Sequence, residues 1–173
     1  MNIWHDISDD RIKAEEFIAV IEIPKGSKIK YEIDKETGML ELDRIPPSGM
    51  YQPFNYGFIP RTLCEDGDAL DVCVICSEPI QPMALVKCKP IALVNMIDDG
   101  ERDEKVIAVP VKDPNNDVPR NAISEYTHYL KHYKSNDPTK GPVQVNEVEG
   151  KEKAMAIIRE SKALYSKKFG GKK

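Results

Sequence analysis

Apolar and polar positions alternate through much of this chain with a period of two. Ile29, Tyr31 and Ile33 alternate with Lys30, Glu32 and Asp34, the mark of a half-buried strand. The turn signal Asp34-Lys35-Glu36-Thr37-Gly38 then leads into Met39 to Ile45, so residues 29–45 are predicted to form a hairpin. Ahead of it, the β-branched run Ile18 to Ile23 predicts a strand. The stretch from Ile45 to Pro60 carries Pro46, Pro47, Pro53, Pro60, Gly49 and Gly57 and reads as an ordered surface loop. Further strands are predicted at Val72 to Cys76, Leu85 to Met96 and Lys105 to Val109, with a turn at Asp98-Asp99-Gly100-Glu101.

Helical spacing appears only late in the chain. Pro119 precedes the run Ala122 to Tyr133, in which Tyr126, Tyr129, Leu130 and Tyr133 share one face. Pro142 to Val148 predicts a last strand. Beyond Gly150, Ala154, Ile157, Ile158 and Leu164 form the apolar stripe of a terminal helix, with a basic, glycine-containing tail expected to fray. Strands first and helices afterwards predict an α+β, mainly β fold: a small antiparallel sheet, closed or strongly curled, with two helices packed outside it.

A chain of 173 residues that is 40% hydrophobic fills one core, so residues 1–173 are expected to form a single domain. No apolar run reaches the roughly 18 residues needed to cross a bilayer, and acids stand where a signal peptide would be apolar. A soluble, cytoplasmic protein without membrane partners is expected. Lys and Arg number 25 against 29 Asp and Glu, and the net charge of -4 argues against non-specific nucleic-acid binding. The four cysteines are read as reduced thiols, because neither length nor context calls for disulfides.

The chemistry concentrates in acids. Glu65-Asp66-Gly67-Asp68-Ala69-Leu70-Asp71-Val72 sets three aspartates within six residues at the mouth of an apolar strand, a hard-oxygen set suited to divalent cations. A solvated acidic turn is the plain alternative. An EF-hand starting at Asp66 fails, since Asp71 and Ser77 stand where glycine and glutamate are required. A second acidic group, Asp98, Asp99, Glu101, Asp103 and Glu104, runs into Lys105, and alone it reads as a charged hairpin loop. If the sheet brings both groups together, Asp66, Asp71, Asp98 and Asp103 crowd negative charge that requires cations. Glu22 sits inside the run Ile18 to Ile23, where a carboxylate needs a partner unless it faces water on an edge strand. Lys30, Arg44 and Lys134 are placed to answer these acids. Acids for metals beside bases for phosphate oxygens are what phosphoryl transfer to water requires. Cys73-Val74-Ile75-Cys76 has CxxC spacing but alternates sides of a strand, and His128 and His132 are read as packing or interface residues.

Taken in order, Val20 to Pro24, Ile29 to Asp34, Asp43-Arg44, Asn55 to Ile59, Asp66 to Val72, Asp98 to Lys105 and His132 to Lys134 resemble the soluble family I inorganic pyrophosphatases of bacterial type. The resemblance implies a curled five-stranded barrel of OB-like topology with flanking helices, Mg²⁺ dependence, a homohexamer, and hydrolysis of pyrophosphate by a metal-activated water. Carried over by position, Asp66, Asp71 and Asp103 resemble ligands of the metals that hold that water, and Asp68 its general base. Asp98 and Glu22 correspond to ligands of metals arriving with substrate. Lys30, Arg44, Tyr56, Lys105, Tyr133 and Lys134 correspond to phosphate-gripping residues, and Glu32 and Asp99 to a supporting shell. Ala69 and Gln52 depart from the family's usual proline and tyrosine. The segment Gly141 to Gly150 also lacks the family's tryptophans, the only one being Trp4. A broader metal-dependent phosphoesterase is the alternative reading. An OB-like reader of single strands is disfavoured by twelve aromatics and the net negative charge.

Overall fold

The computed structural model describes residues 1–115 and 118–170. A short helix, α1 (Ile3–Asp6), precedes strand β1 (Phe17–Ile23), and a hairpin of β2 (Lys30–Ile33) and β3 (Leu40–Arg44) follows. Then come β4 (Asn55–Ile59), β5 (Leu70–Val74), the long β6 (Leu85–Asp98), the two-residue β7 (Glu101–Arg102) and β8 (Lys105–Pro110). Helix α2 (Ala122–His132), strand β9 (Val143–Gly150) and helix α3 (Lys151–Phe169) complete the order. The end of the basic tail, residues 171–173, lies outside the described residues.

Five strands form a closed ring. The order β1-β4-β5-β8-β6 returns on itself because Phe17 to Val20 of β1 pair with Leu85 to Cys88 of β6. At 14 residues, β6 is long enough to pair with β1 at its start, β8 in its middle, and β7 and β9 further along. β1 is buried at every position, which explains its apolar run from Phe17 to Ile23, interrupted by Glu22.

Three expectations are corrected. Residues 55–59, read as part of a surface loop, form β4 in the ring: Pro53 and Pro60 only bracket the strand, and Gly57 lies where two backbones meet closely. The sheet is not wholly antiparallel, since β5 and β8 run parallel after the chain crosses over through β6. There are three helices among the described residues rather than two, because α1 is too short to leave a periodic signal.

Apolar residues pack in three groups. Ile21, Val72 and Val106 meet Ala154 and Ile158 of α3 in one. Cys73, Ile107 and Val94 meet Tyr126 and Leu130 of α2 in another. Trp4, Val20, Phe58, Leu63 and Tyr165 form the third. Helix α3 thus packs on the face of the strands that carries Val72 and Val106, and α2 on the opposite face, that of Cys73 and Ile107.

Candidate active site

The irregularities of the sheet aim the charged side chains. β1 pairs with β4 through Ile21 opposite Gly57 and Ile23 opposite Tyr56, leaving Glu22 as the extra residue of a bulge. Glu22 is 6% exposed and its carboxylate accepts a hydrogen bond from the Ile33 N–H at 2.8 Å, so it is not a water-facing edge residue. Parallel pairing sets Asp71 of β5 directly beside Lys105 of β8. The acidic turn before β5 is closed by Cys64 N–H to the Asp68 carbonyl (2.7 Å) and Asp68 N–H to Asp66 Oδ1 (2.9 Å). The tight turn after β6 presents Asp98 and Asp99, and the Asp103 N–H is tied back to the Met96 carbonyl at 3.0 Å. Tyr133 and Lys134 stand at the end of α2, and Lys30 lies opposite Arg44 in the hairpin.

All of the candidate residues named from the sequence line one cavity of about 500 Å³. The acids arise from β1, β2, β5 with the turn before it, and the end of β6 with the segment after it, while the bases come from the hairpin, β8 and the end of α2. Sequence reasoning missed Lys35, which also lines the cavity and pairs with Asp68. It was read only as a turn residue, because nothing in the local sequence tells which way a hairpin tip leans.

Lys105 is the electrostatic centre. Its ammonium, with only 5% of the side chain exposed, donates to Asp71 (2.7 Å), Asp103 (2.9 Å) and the Tyr56 hydroxyl (3.2 Å). Burial alone would lower its pKa, but Asp103 and Asp71 outweigh burial and hold it well above its ordinary value. Lys134 pairs with Asp98, and Lys30 with Glu32 and with Asp43 at 3.1 Å. Burial raises Asp66 and Asp71 above the usual carboxylate range. Glu22 is pushed up to about 8, chiefly by burial and then by the charge of Asp71.

That shift has a definite sign. Between about 4.5 and about 8 the folded protein keeps a proton on Glu22 that the unfolded chain has released, so stability falls as pH rises through this window. In chelator, the urea midpoint should be lower at pH 8 than at pH 5.5, by a difference on the order of a few kcal/mol in unfolding free energy. Glu22→Gln should remove most of that difference. A midpoint that rises with pH, or an undiminished slope in the variant, would contradict the assignment.

The donor set fits hard divalent cations: it is all carboxylate, and the buried Asp98 Oδ1 lacks a hydrogen-bond partner. Among the described residues, however, no three His, Cys, Asp or Glu side chains stand as a ready metal cage. Lysines hold the carboxylates instead, Lys105 lying between Asp71 and Asp103. Away from this cavity, the rings of His128 and His132 lie 4.3 Å apart on exposed positions of α2.

A closed five-stranded ring with one cavity that joins clustered carboxylates to lysines, an arginine and tyrosines has the chemistry to receive a polyanion together with cations. The family model for inorganic pyrophosphatase matches residues 19–166. The chain is 40% identical over 173 residues to soluble inorganic pyrophosphatase 2 of Chlamydomonas reinhardtii, covering 96% of this chain and 89% of that one. It is 42% identical over 170 residues to soluble inorganic pyrophosphatase 1 of Arabidopsis thaliana, covering 94% and 79%. Its fold matches the crystal structure of the inorganic pyrophosphatase from Thermus thermophilus with a TM-score of 0.88 at 34% identity, covering 96% of this chain and 99% of that one. The chain belongs to the inorganic pyrophosphatase family.

Proposed function

We propose that this chain hydrolyses inorganic pyrophosphate to two phosphates and depends on Mg²⁺ to do so. The observation that supports it best is the convergence of the acids and bases assigned to the site on one cavity. In this reading Asp66, Asp71 and Asp103 hold one group of cations, and Asp98 and Glu22 hold those that accompany the substrate. Bound there, the cations would supply Lewis-acid stabilisation of phosphate oxygens and a water of lowered pKa. Asp68, on an acidic turn whose backbone is tied at both ends, takes the proton from the attacking water. Lys30, Arg44, Lys134, Tyr56, Tyr133 and Lys105 bind phosphate oxygens and neutralise the charge that builds on the leaving phosphate. Glu32 orients Lys30, with which it is paired. Asp99 supports the turn after β6, its carboxylate lying against Gly141.

Phosphate release from pyrophosphate should be fast with Mg²⁺ and vanish with excess chelator, and ATP in place of pyrophosphate should give little. Release that persists in chelator would overturn the metal dependence. Equal turnover of an aryl phosphate or ATP would favour a broader phosphoesterase. No helix among the described residues is long and apolar enough to cross a membrane. Family resemblance supports a single domain over residues 1–173, a homohexamer and a cytoplasmic location.

A further inference from the structure

The hairpin that carries Lys30 and Arg44 is not part of the ring: β2 and β3 form their own two-stranded sheet. At its base, the Ile33 N–H bonds to the Glu22 carboxylate. Its tip is held by the N-terminal segment. Asn2 uses both ends of its side-chain amide. Its Oδ1 accepts the Trp4 N–H at 3.0 Å, capping α1, while its Nδ2 donates to the Lys35 carbonyl at 2.9 Å. Gly38, at φ +74°, lies so close that a Cβ there would fall 2.7 Å from Asn2 Cα. Two residues on, Trp4 is fixed by its indole N–H to the Thr62 carbonyl (2.9 Å) and by edge-on contact with Phe169. Its apolar cluster includes Ile33 from the hairpin and Ala69 from the acidic turn, so the segment touches both walls of the cavity, and Trp4 itself lines it. Lys35, the residue Asn2 holds, reaches across to Asp68.

We propose that Asn2 and Trp4 form a strap that fixes the hairpin over the acidic turn, making them positioning residues for the grip on the substrate polyanion. This rests on the pyrophosphate reading. The hairpin has few attachments of its own, and its basic side chains bind a polyanion well only when already held at the right distance from the acids. Asn2 acts on Lys30 and Arg44 through the hairpin backbone, not by touching substrate.

Asn2→Asp separates the strap from the helix cap, because a carboxylate still accepts the Trp4 N–H but cannot donate to the Lys35 carbonyl. It should leave thermal stability near wild type. Amide hydrogen exchange at the tip, including Gly38 and Met39, should become about three- to tenfold faster, the worth of one hydrogen bond. KM for pyrophosphate should rise by a similar factor, and kcat should change less than twofold. Asn2→Ala should do the same and also lower stability, while Gly38→Ala should loosen the tip from the other side. Wild-type turnover beside an Asn2→Asp variant with unchanged exchange or unchanged KM would overturn the strap and leave the pyrophosphate reading standing. Wild-type protein without turnover would sink that reading, and the exchange comparison would still decide whether Asn2 holds the hairpin.

Discussion

Asp68→Asn is expected to lower kcat for pyrophosphate by about 10²- to 10⁴-fold, the range lost with a general base. The substitution keeps the shape but replaces one acceptor oxygen with a donating amide, and so removes the proton acceptor. It should not disturb the fold. The turn is held by Asp68's backbone, through the Cys64 N–H to its carbonyl and its own N–H to Asp66, and not by its side chain. That side chain is 55% exposed, and its ion pair with Lys35 is a surface pair of small worth. Unfolding free energy should therefore stay within about 0.5 kcal/mol of wild type. KM should move little, since Asp68 does not grip phosphate. Steady-state kinetics at saturating Mg²⁺, beside a urea titration, checks both halves. Activity that survives the substitution would remove Asp68 from the role of base. Activity lost together with stability would mean that the turn had rearranged.

How much of this was legible in the sequence depended on whether the information was local. The hairpin predicted over 29–45 is observed as Lys30 to Arg44, because strict alternation and a glycine turn specify both strands and their connection. Helix α2 falls where Tyr126, Leu130 and Pro119 put it. β4 was hidden because its strand character comes from pairing with β1 and β5, neither of which is visible in a proline- and glycine-rich stretch. Within the site, Glu22 stood out because a carboxylate inside a β-branched run is chemically conspicuous. The bulge that turns it into the cavity is a property of two strands and left no mark on one. The assignment of roles to Lys105 and Tyr56 rested on family resemblance; the contact of Lys105 with Asp71 follows from the parallel register of β5 and β8, and antiparallel β4 brings Tyr56 alongside. Lys35, Asn2 and Trp4 went unnoticed because what they touch lies far along the chain.

The second large effect is expected at Gly57, and it follows from that same bulge. Gly57 of β4 is buried opposite Ile21 of β1, and a Cβ added there would land on the Val20 carbonyl oxygen, 2.8 Å from Val20 C and 2.9 Å from Ile21 Cα. These obstacles are backbone atoms in a fully buried strand of a closed ring. No side chain can swing aside, and the two strands must separate or slip. Gly57→Ala should therefore cost about 3 kcal/mol or more, above the usual penalty for overpacking by one methyl. Gly67→Ala provides the contrast. Nothing lies within 4 Å of a Cβ at Gly67, so only the strain of its positive φ (+88°) applies, about 1–2 kcal/mol. Any folded Gly57→Ala protein should also lose activity, because Tyr56 and Glu22 flank the contact and a shifted β1–β4 register carries both out of place. Paired urea titrations of the two variants, with pyrophosphate turnover measured on each, read out both effects. Equal stability losses at the two glycines would show that close backbone approach at Gly57 does not constrain the ring. A Gly57→Ala protein with near-normal turnover would show that the site tolerates movement between β1 and β4.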